Sequence, residues 1–243
     1  MRLTTVFSAT NDNPAYYLFI PKQISFWAHW GIKFIAVFVG DVLPNELIPY
    51  SENIILWAHT PHMKSAYIAQ NLRIYYPALL SLSDDELVMI TDMDMLPTNN
   101  IYYTDGLSNF GPDDFIYYRH IDGNQIYMCY NAATPKTWSK IFRITSEDDI
   151  NTTLLNNYNI NYNGVPGSIG WYTDQEVLYK YLHNYPFLRV LNRPIRRLEV
   201  HDYRRFLSLG QTNFISGFDD VHFHRSYTDN EAYILDAEKQ LYS

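Results

Sequence analysis

Residues 86–100 read ELVMITDMDMLPTNN: an almost unbroken apolar run enters two aspartates one residue apart, and a proline follows shortly after. A segment apolar at nearly every position, rather than at alternate ones, fits a strand buried on both faces. Three more such segments lie upstream: LTTVFSA (3–9), KFIAVFVG (33–40) and NIILWAH (53–59). Stretches of helical period fall between them. Residues 15–30 are expected to form a helix interrupted or kinked near Pro21. Residues 62–82 should form another, with Ile68, Leu72, Tyr75, Tyr76 and Leu79 on one buried face and Pro77 bending or ending it. Strands that alternate with helices imply parallel pairing through right-handed crossovers. The expected fold class is therefore α/β, an open, mostly parallel twisted sheet flanked by helices. Without a linker or repeat, residues 1–243 read as one domain.

In open parallel sheets, ligands gather beyond the carboxyl ends of the strands. Thr10, Asn11 and Asp12 follow the first segment, Asp41 the second, His59 and Thr60 the third, and Asp92 and Asp94 the fourth. Two carboxylates so close repel unless positive charge lies between them. A hard divalent cation supplies it and leaves coordination positions for phosphate oxygens and water. A turn or helix-capping pair is the plainer account of two aspartates in isolation.

The remaining sequence is less regular. Residues 114–138 read as two strands turning at Asp122-Gly123-Asn124. Ser146 should cap a helix over 146–160. Thr173 with Glu176 should form a capping box opening a helix over 171–185. DDVHFHRS (219–226) alternates like an exposed strand, which would place His222 and His224 on one face. NYNGVPGSIGW (161–171) has the Gly and Pro content of a mobile loop over substrate, or of an ordinary surface loop.

The net charge of −8 argues against a nucleic-acid partner. The basic stretch NRPIRRLEVHDYRRF (192–206) could meet an anionic ligand or be a solvated face. The lone Cys129 lies in an apolar run, excludes an internal disulfide and suits a reducing compartment. No window of 18 apolar residues marks a membrane span. A soluble, cytoplasmic protein is expected.

The stretch YYPALLSLSDDELVMITDMDMLP resembles the metal-dependent, nucleotide-sugar-using glycosyltransferases of the GT-A fold, in which a helix and a hydrophobic strand lead into D-x-D and a hydrophobic-Pro step. WYTDQE at 171–176 is similar to that group's acceptor-side helix start, and HFHRS to its late metal-binding segment. The set covers most of the chain in order, and its anchor-free form is similar to the enzymes of large DNA viruses and bacteria, which implies host cytoplasm or virion for a viral protein. The resemblance implies a nucleotide half over residues 1–100 and an acceptor half over 101–243. It implies Mn²⁺ or Mg²⁺ held by Asp92, Asp94 and one of His222 and His224, the earlier being favoured because Asp219 and Asp220 precede it. An imidazole ligand favours Mn²⁺. It implies a nucleoside-diphosphate sugar donor, uridine-based, contacted through Thr10, Asn11, Asp12, Asp41, Asp92, Lys64 and Arg225, and a glycan or glycoprotein acceptor. Asp174 would act as base towards the acceptor hydroxyl in an inverting transfer, or orient substrate. Lys64 and Arg73, nine residues apart, cannot both face one site on a helix. Trp171 and Tyr172 are candidate sugar platforms. A sugar nucleotidyltransferase would need a Gly-rich basic loop where SATNDNP stands, and a non-catalytic carbohydrate- or nucleotide-binding module would leave the acidic residues without use.

Overall fold

The computed structural model describes residues 1–165, 167–224 and 226–243. The strands are β1 (Arg2–Asn11), β2 (Lys33–Val39), β3 (Ile54–Trp57), β4 (Glu86–Ile90), β5 (Met95–Pro97), β6 (Phe115–Tyr117), β7 (Asn131–Ala133), β8 (Leu188–Val190), β9 (Arg197–Glu199) and β10 (Asp220–His222). The helices are α1 (Pro14–Tyr17), α2 (Ile20–Ala28), α3 (Ser65–Tyr75), α4 (Asn100–Thr104), α5 (Pro135–Phe142), α6 (Glu147–Asn157), α7 (Thr173–Leu182), α8 (Val200–Ser208) and α9 (Tyr227–Leu241).

A seven-stranded sheet runs β3-β2-β1-β4-β7-β6-β8, and only β7 opposes its neighbours. Successive residues of its central strands enter opposite layers. Val6, Ala36, Phe38 and Met89 pack into one apolar layer, and Phe7, Val37, Val39, Val88 and Ile90 into the other. The continuous apolarity of β1, β2 and β4 thus has its physical cause in a sheet covered on both sides. A second sheet, β5-β10-β9, has β10 at its centre. The two aspartates lie on the short connection from β4 in the large sheet to β5 in the small one.

Several local expectations change. The helical stretch over 15–30 is interrupted rather than kinked: the chain makes two helices, α1 capped by Asn13 and α2 with Pro21 in its first turn, where a missing N–H costs nothing. Pro77 ends α3, which tightens into a 3₁₀ turn over Tyr76–Leu79. The two strands expected over 114–138 pair antiparallel, but each keeps three residues, and a long excursion joins them, with Asp122 bridging Gln125. Ser146 caps α6 reciprocally with Asp149. Thr173 caps nothing: it is the first residue of α7, behind Tyr172, with no side-chain cap. The strand expected in the 219–226 stretch is β10, Asp220–His222, and it is not an exposed one. β10 pairs on both edges, and Asp220 and Val221 are fully buried.

Several arginines of the basic stretch are engaged by the protein's own acceptors. Arg196 pairs with Asp219, Arg197 with Asp220, Arg193 donates to the carbonyls of Tyr102 and Asp105, and Arg204 to Asn230. Cys129 is buried, and that burial pushes its thiol above the ordinary range. Among the described residues, no helix is long and apolar enough to cross a membrane.

Candidate functional site

Beyond the carboxyl ends of β1 and β4 lies a cavity of about 330 Å³. Thr10, Asn11, Asp92, Asp94, Asp174, His222, Trp171 and Arg73 line it. Asp12, Asp41 and Lys64 do not. Asp12 is exposed, Asp41 accepts the His59 N–H at 3.4 Å, and Lys64 occupies the N-cap position of α3 pointing to solvent. Their neighbours Asn13 and Ala66 do line the cavity, while the side chains of Asp12, Asp41 and Lys64 are exposed to solvent. Tyr172 is 41% exposed and lies outside this cavity. The expected contact from Arg225 lies outside the described residues.

The two carboxylates do not share one counter-charge. α3 exposes a stripe of residues three and four apart, Ala66, Ala69, Gln70 and Arg73, to the cavity. From it, the Arg73 guanidinium reaches Asp92 through Nη1 and Asp174 through Nη2. Part of the positive charge beside the acidic pair is therefore supplied by the protein itself, Arg73 taking one of the two oxygens of Asp92. Asp94 instead faces His222, with its Oδ2 3.6 Å from His222 Nε2. Burial would lower the His222 pKa, but the Asp94 and Glu199 carboxylates prevail and hold it above the usual imidazole range.

Asp174 is 1% exposed. Its oxygens accept from Arg73, from Gln70 Nε2 at 3.1 Å and from the Gln175 N–H at 2.9 Å. Burial pushes its carboxyl above the ordinary range, Arg73 opposing and Asp92 adding. Both Gln70 and Gln175 line the cavity, and the amide oxygen of each is buried without a hydrogen-bond partner among the described residues. Orphaned acceptors of that kind carry a desolvation penalty of roughly 1–3 kcal/mol unless a donor arrives.

Several residues that shape the site were not legible as such. Gln23, buried on α2, donates to the carbonyls of Met93 and Met95 at 2.8 Å each and accepts from Trp27 Nε1. It clamps the backbone that carries Asp92 and Asp94. Gln23→Leu should lower stability by about 2–4 kcal/mol, since it leaves two buried carbonyls and an indole N–H unpaired. Chemical denaturation measures this, and an unchanged midpoint would refute the clamp. Glu199 lies beside both histidines. Its Oε2 is 3.0 Å from His222 Nδ1 and 2.6 Å from His224 Nε2. His224 lies beyond β10 with left-handed backbone (φ 41°), yet its ring stays 3.9 Å from that of His222. Glycines also matter in the 161–171 segment. Gly170 has φ 86°, and a Cβ there would meet the Tyr162 ring at 2.3 Å.

The mixed α/β architecture, a seven-stranded, mostly parallel sheet flanked by helices, is that of the GT-A glycosyltransferase fold. Among solved structures, the galactosyltransferase LgtC in complex with donor and acceptor sugar analogs superposes with a TM-score of 0.50 at 12% identity, covering 97% of this chain and 96% of that one. The glycosyltransferase GlyE of Streptococcus pneumoniae TIGR4 matches with a TM-score of 0.48 at 14% identity, over 100% of this chain and 63% of that one. A glycosyltransferase involved in glycosylation of the major capsid of PBCV-1 matches with a TM-score of 0.43 at 14% identity, over 96% and 100%. No family model and no curated protein matches the sequence.

Proposed function

We propose that this chain is a metal-dependent glycosyltransferase that moves a sugar from a nucleoside-diphosphate donor, uridine-based, to a hydroxyl of a glycan or glycoprotein acceptor. The observation that carries the reading is the pair of unpartnered amide oxygens, Gln70 and Gln175, lining the same cavity as Asp94 and His222. Buried acceptors ask for a hydroxyl-rich ligand, and an acidic pair beside an imidazole asks for a cation.

Charge supports the same reading. Among the described residues, Arg73 is the only Lys or Arg lining the cavity, and two carboxylates already claim it. A diphosphate entering alone would meet net negative charge, so a divalent cation must accompany it. The donor set fits such an ion. Two ligands about 2.1 Å from one ion lie roughly 3.0–3.5 Å apart, close to the 3.6 Å between Asp94 and His222 and too far for a direct hydrogen bond. Asp94 and His222 would hold the ion, and the mixed oxygen and nitrogen donors favour Mn²⁺ over Mg²⁺. When bound, the ion neutralises charge on the departing diphosphate. Thr10 and Asn11 meet the nucleotide at the end of β1, and Trp171 offers a ring to the sugar.

Asp174 is better suited to positioning than to proton abstraction. A carboxylate that already accepts from a guanidinium, an amide side chain and a backbone N–H is bound to its own neighbours. Held so, it fixes Arg73 and Gln70 against the donor sugar.

Calorimetric titration with UDP tests the reading. Binding should appear with Mn²⁺ and vanish with EDTA, and wild-type protein should hydrolyse at least one nucleotide sugar slowly in the presence of Mn²⁺. UDP affinity indifferent to metal, or absent altogether, would overturn it.

A further inference from the structure

We infer that Glu199 is a positioning residue for the metal ligand His222: it holds the proton on Nδ1 so that the bare Nε2 faces Asp94. The inference rests on the metal reading above and concerns what prepares the ligand. β9 and β10 run parallel with Glu199 opposite His222, while on the other edge of β10 His222 lies opposite Met95, the neighbour of Asp94. The ladder of this three-stranded sheet therefore sets carboxylate, imidazole and carboxylate in a row. Glu199 Oε2 lies 3.0 Å from His222 Nδ1, and Asp94 Oδ2 lies 3.6 Å from Nε2.

An ionised carboxylate can only accept, so the 3.0 Å contact requires the hydrogen to be on Nδ1. A neutral imidazole can otherwise carry its proton on either nitrogen, and a proton on Nε2 would block coordination there. A carboxylate behind a ligating histidine fixes ring and tautomer together, and losing such a partner typically costs about 10–100-fold in metal affinity. The same Oε2 lies 2.6 Å from His224 Nε2, so His224 steadies the carboxylate. Because the donor atoms of Glu199, His222 and His224 lie within 4.8 Å of one another, the rival assignment is that these three hold the ion themselves.

Two measurements on the whole chain separate these roles. Nitrogen-15 shifts of the His222 ring, recorded without metal at alkaline pH, read the tautomer. Paramagnetic titration with Mn²⁺ reads affinity. Wild type should show the Nδ1–H form. Glu199→Ala should mix the tautomers and weaken Mn²⁺ about 10–100-fold, with Glu199→Gln, whose amide oxygen can still accept, lying between. Should the alanine variant not fold, the glutamine variant carries the test, with a smaller shift in the same direction. An unchanged His222 tautomer or an unchanged Mn²⁺ affinity overturns the proposal. So does full Mn²⁺ affinity in Asp94→Asn combined with its loss in Glu199→Ala, which would make Glu199 a ligand. A wild type that binds no Mn²⁺ overturns the metal reading itself, and the wild-type titration alone identifies that case.

Discussion

Arg73→Met should lower the free energy of unfolding by about 3–5 kcal/mol, the cost of removing one partner from a buried ion pair. The Arg73 guanidinium lies between Asp92 and Asp174, and both its charge contacts fall inside the cavity wall. Methionine keeps the length of the side chain and removes the charge, so most of the loss is electrostatic rather than a cavity. The two carboxylates would then face each other with no cation between them. Arg73→Lys should recover little, because one ammonium cannot span both acids as the planar fork does. Arg73→Met with Asp174→Asn should be more stable than Arg73→Met alone, since it removes the most deeply buried stranded charge. The pH dependence follows with a definite sign. Asp174 has a carboxyl raised above its ordinary range by burial, with Arg73 opposing. A raised carboxyl binds its proton more tightly in the native state, so its contribution is fully present below about pH 4 and is lost as pH rises through the native value. Without Arg73 that loss should grow, and Arg73→Met should gain stability relative to wild type as pH falls. Urea denaturation from pH 4 to 8 checks this, and a constant difference across that range would refute it.

Asp94→Ala should weaken Mn²⁺-dependent UDP binding by more than about 100-fold and lower nucleotide-sugar turnover by about 1,000-fold, which corresponds to roughly 4 kcal/mol of transition-state stabilisation. Asp94 is 7% exposed and faces the one imidazole that lines the cavity among the described residues. Among the described residues, Arg73 is the only Lys or Arg lining the cavity, and Asp92 and Asp174 already engage it. Acidification should mimic part of the defect. The His222 pKa lies above the usual imidazole value despite the opposing effect of burial, so protons should begin to displace metal above pH 6.5. Calorimetry at two pH values, with and without the substitution, reads both effects. Retention of metal-dependent UDP binding in Asp94→Ala would remove the basis for the functional proposal.

The parts of the fold that could be read from sequence are those where hydrophobic patterning runs long enough to have a period. β1, β2, β4 and α3 bury continuous faces of four residues or more, and their sequence signature is strong. The small sheet was hidden because β5, β9 and β10 have three residues each, too few for any periodicity. The same brevity made Asp220 and His222 look exposed when β10 is paired on both edges. Asp92, Asp94 and His222 stood out because charge beside buried segments is unusual. Gln23 and Glu199 did not, because a polar residue on a short helix or strand looks solvent-facing until its distant partners are known. The arginines at 193, 196, 197 and 204 resembled a basic patch for the opposite reason: their partners are distant in sequence, Tyr102 and Asp105 far upstream, and Asp219, Asp220 and Asn230 more than 20 positions later.

The central place of β10 in the small sheet also bears on biosynthesis. Asp94 emerges from the ribosome more than a hundred positions before His222, a delay on the order of 10 s at ordinary translation rates. During that interval the nascent chain can complete its first parallel strands but has no imidazole to offer at the acidic connection. At the proposed metal site, loading would thereby be deferred until β10 slots between its two neighbours, so capture of the ion would report synthesis at least through His222.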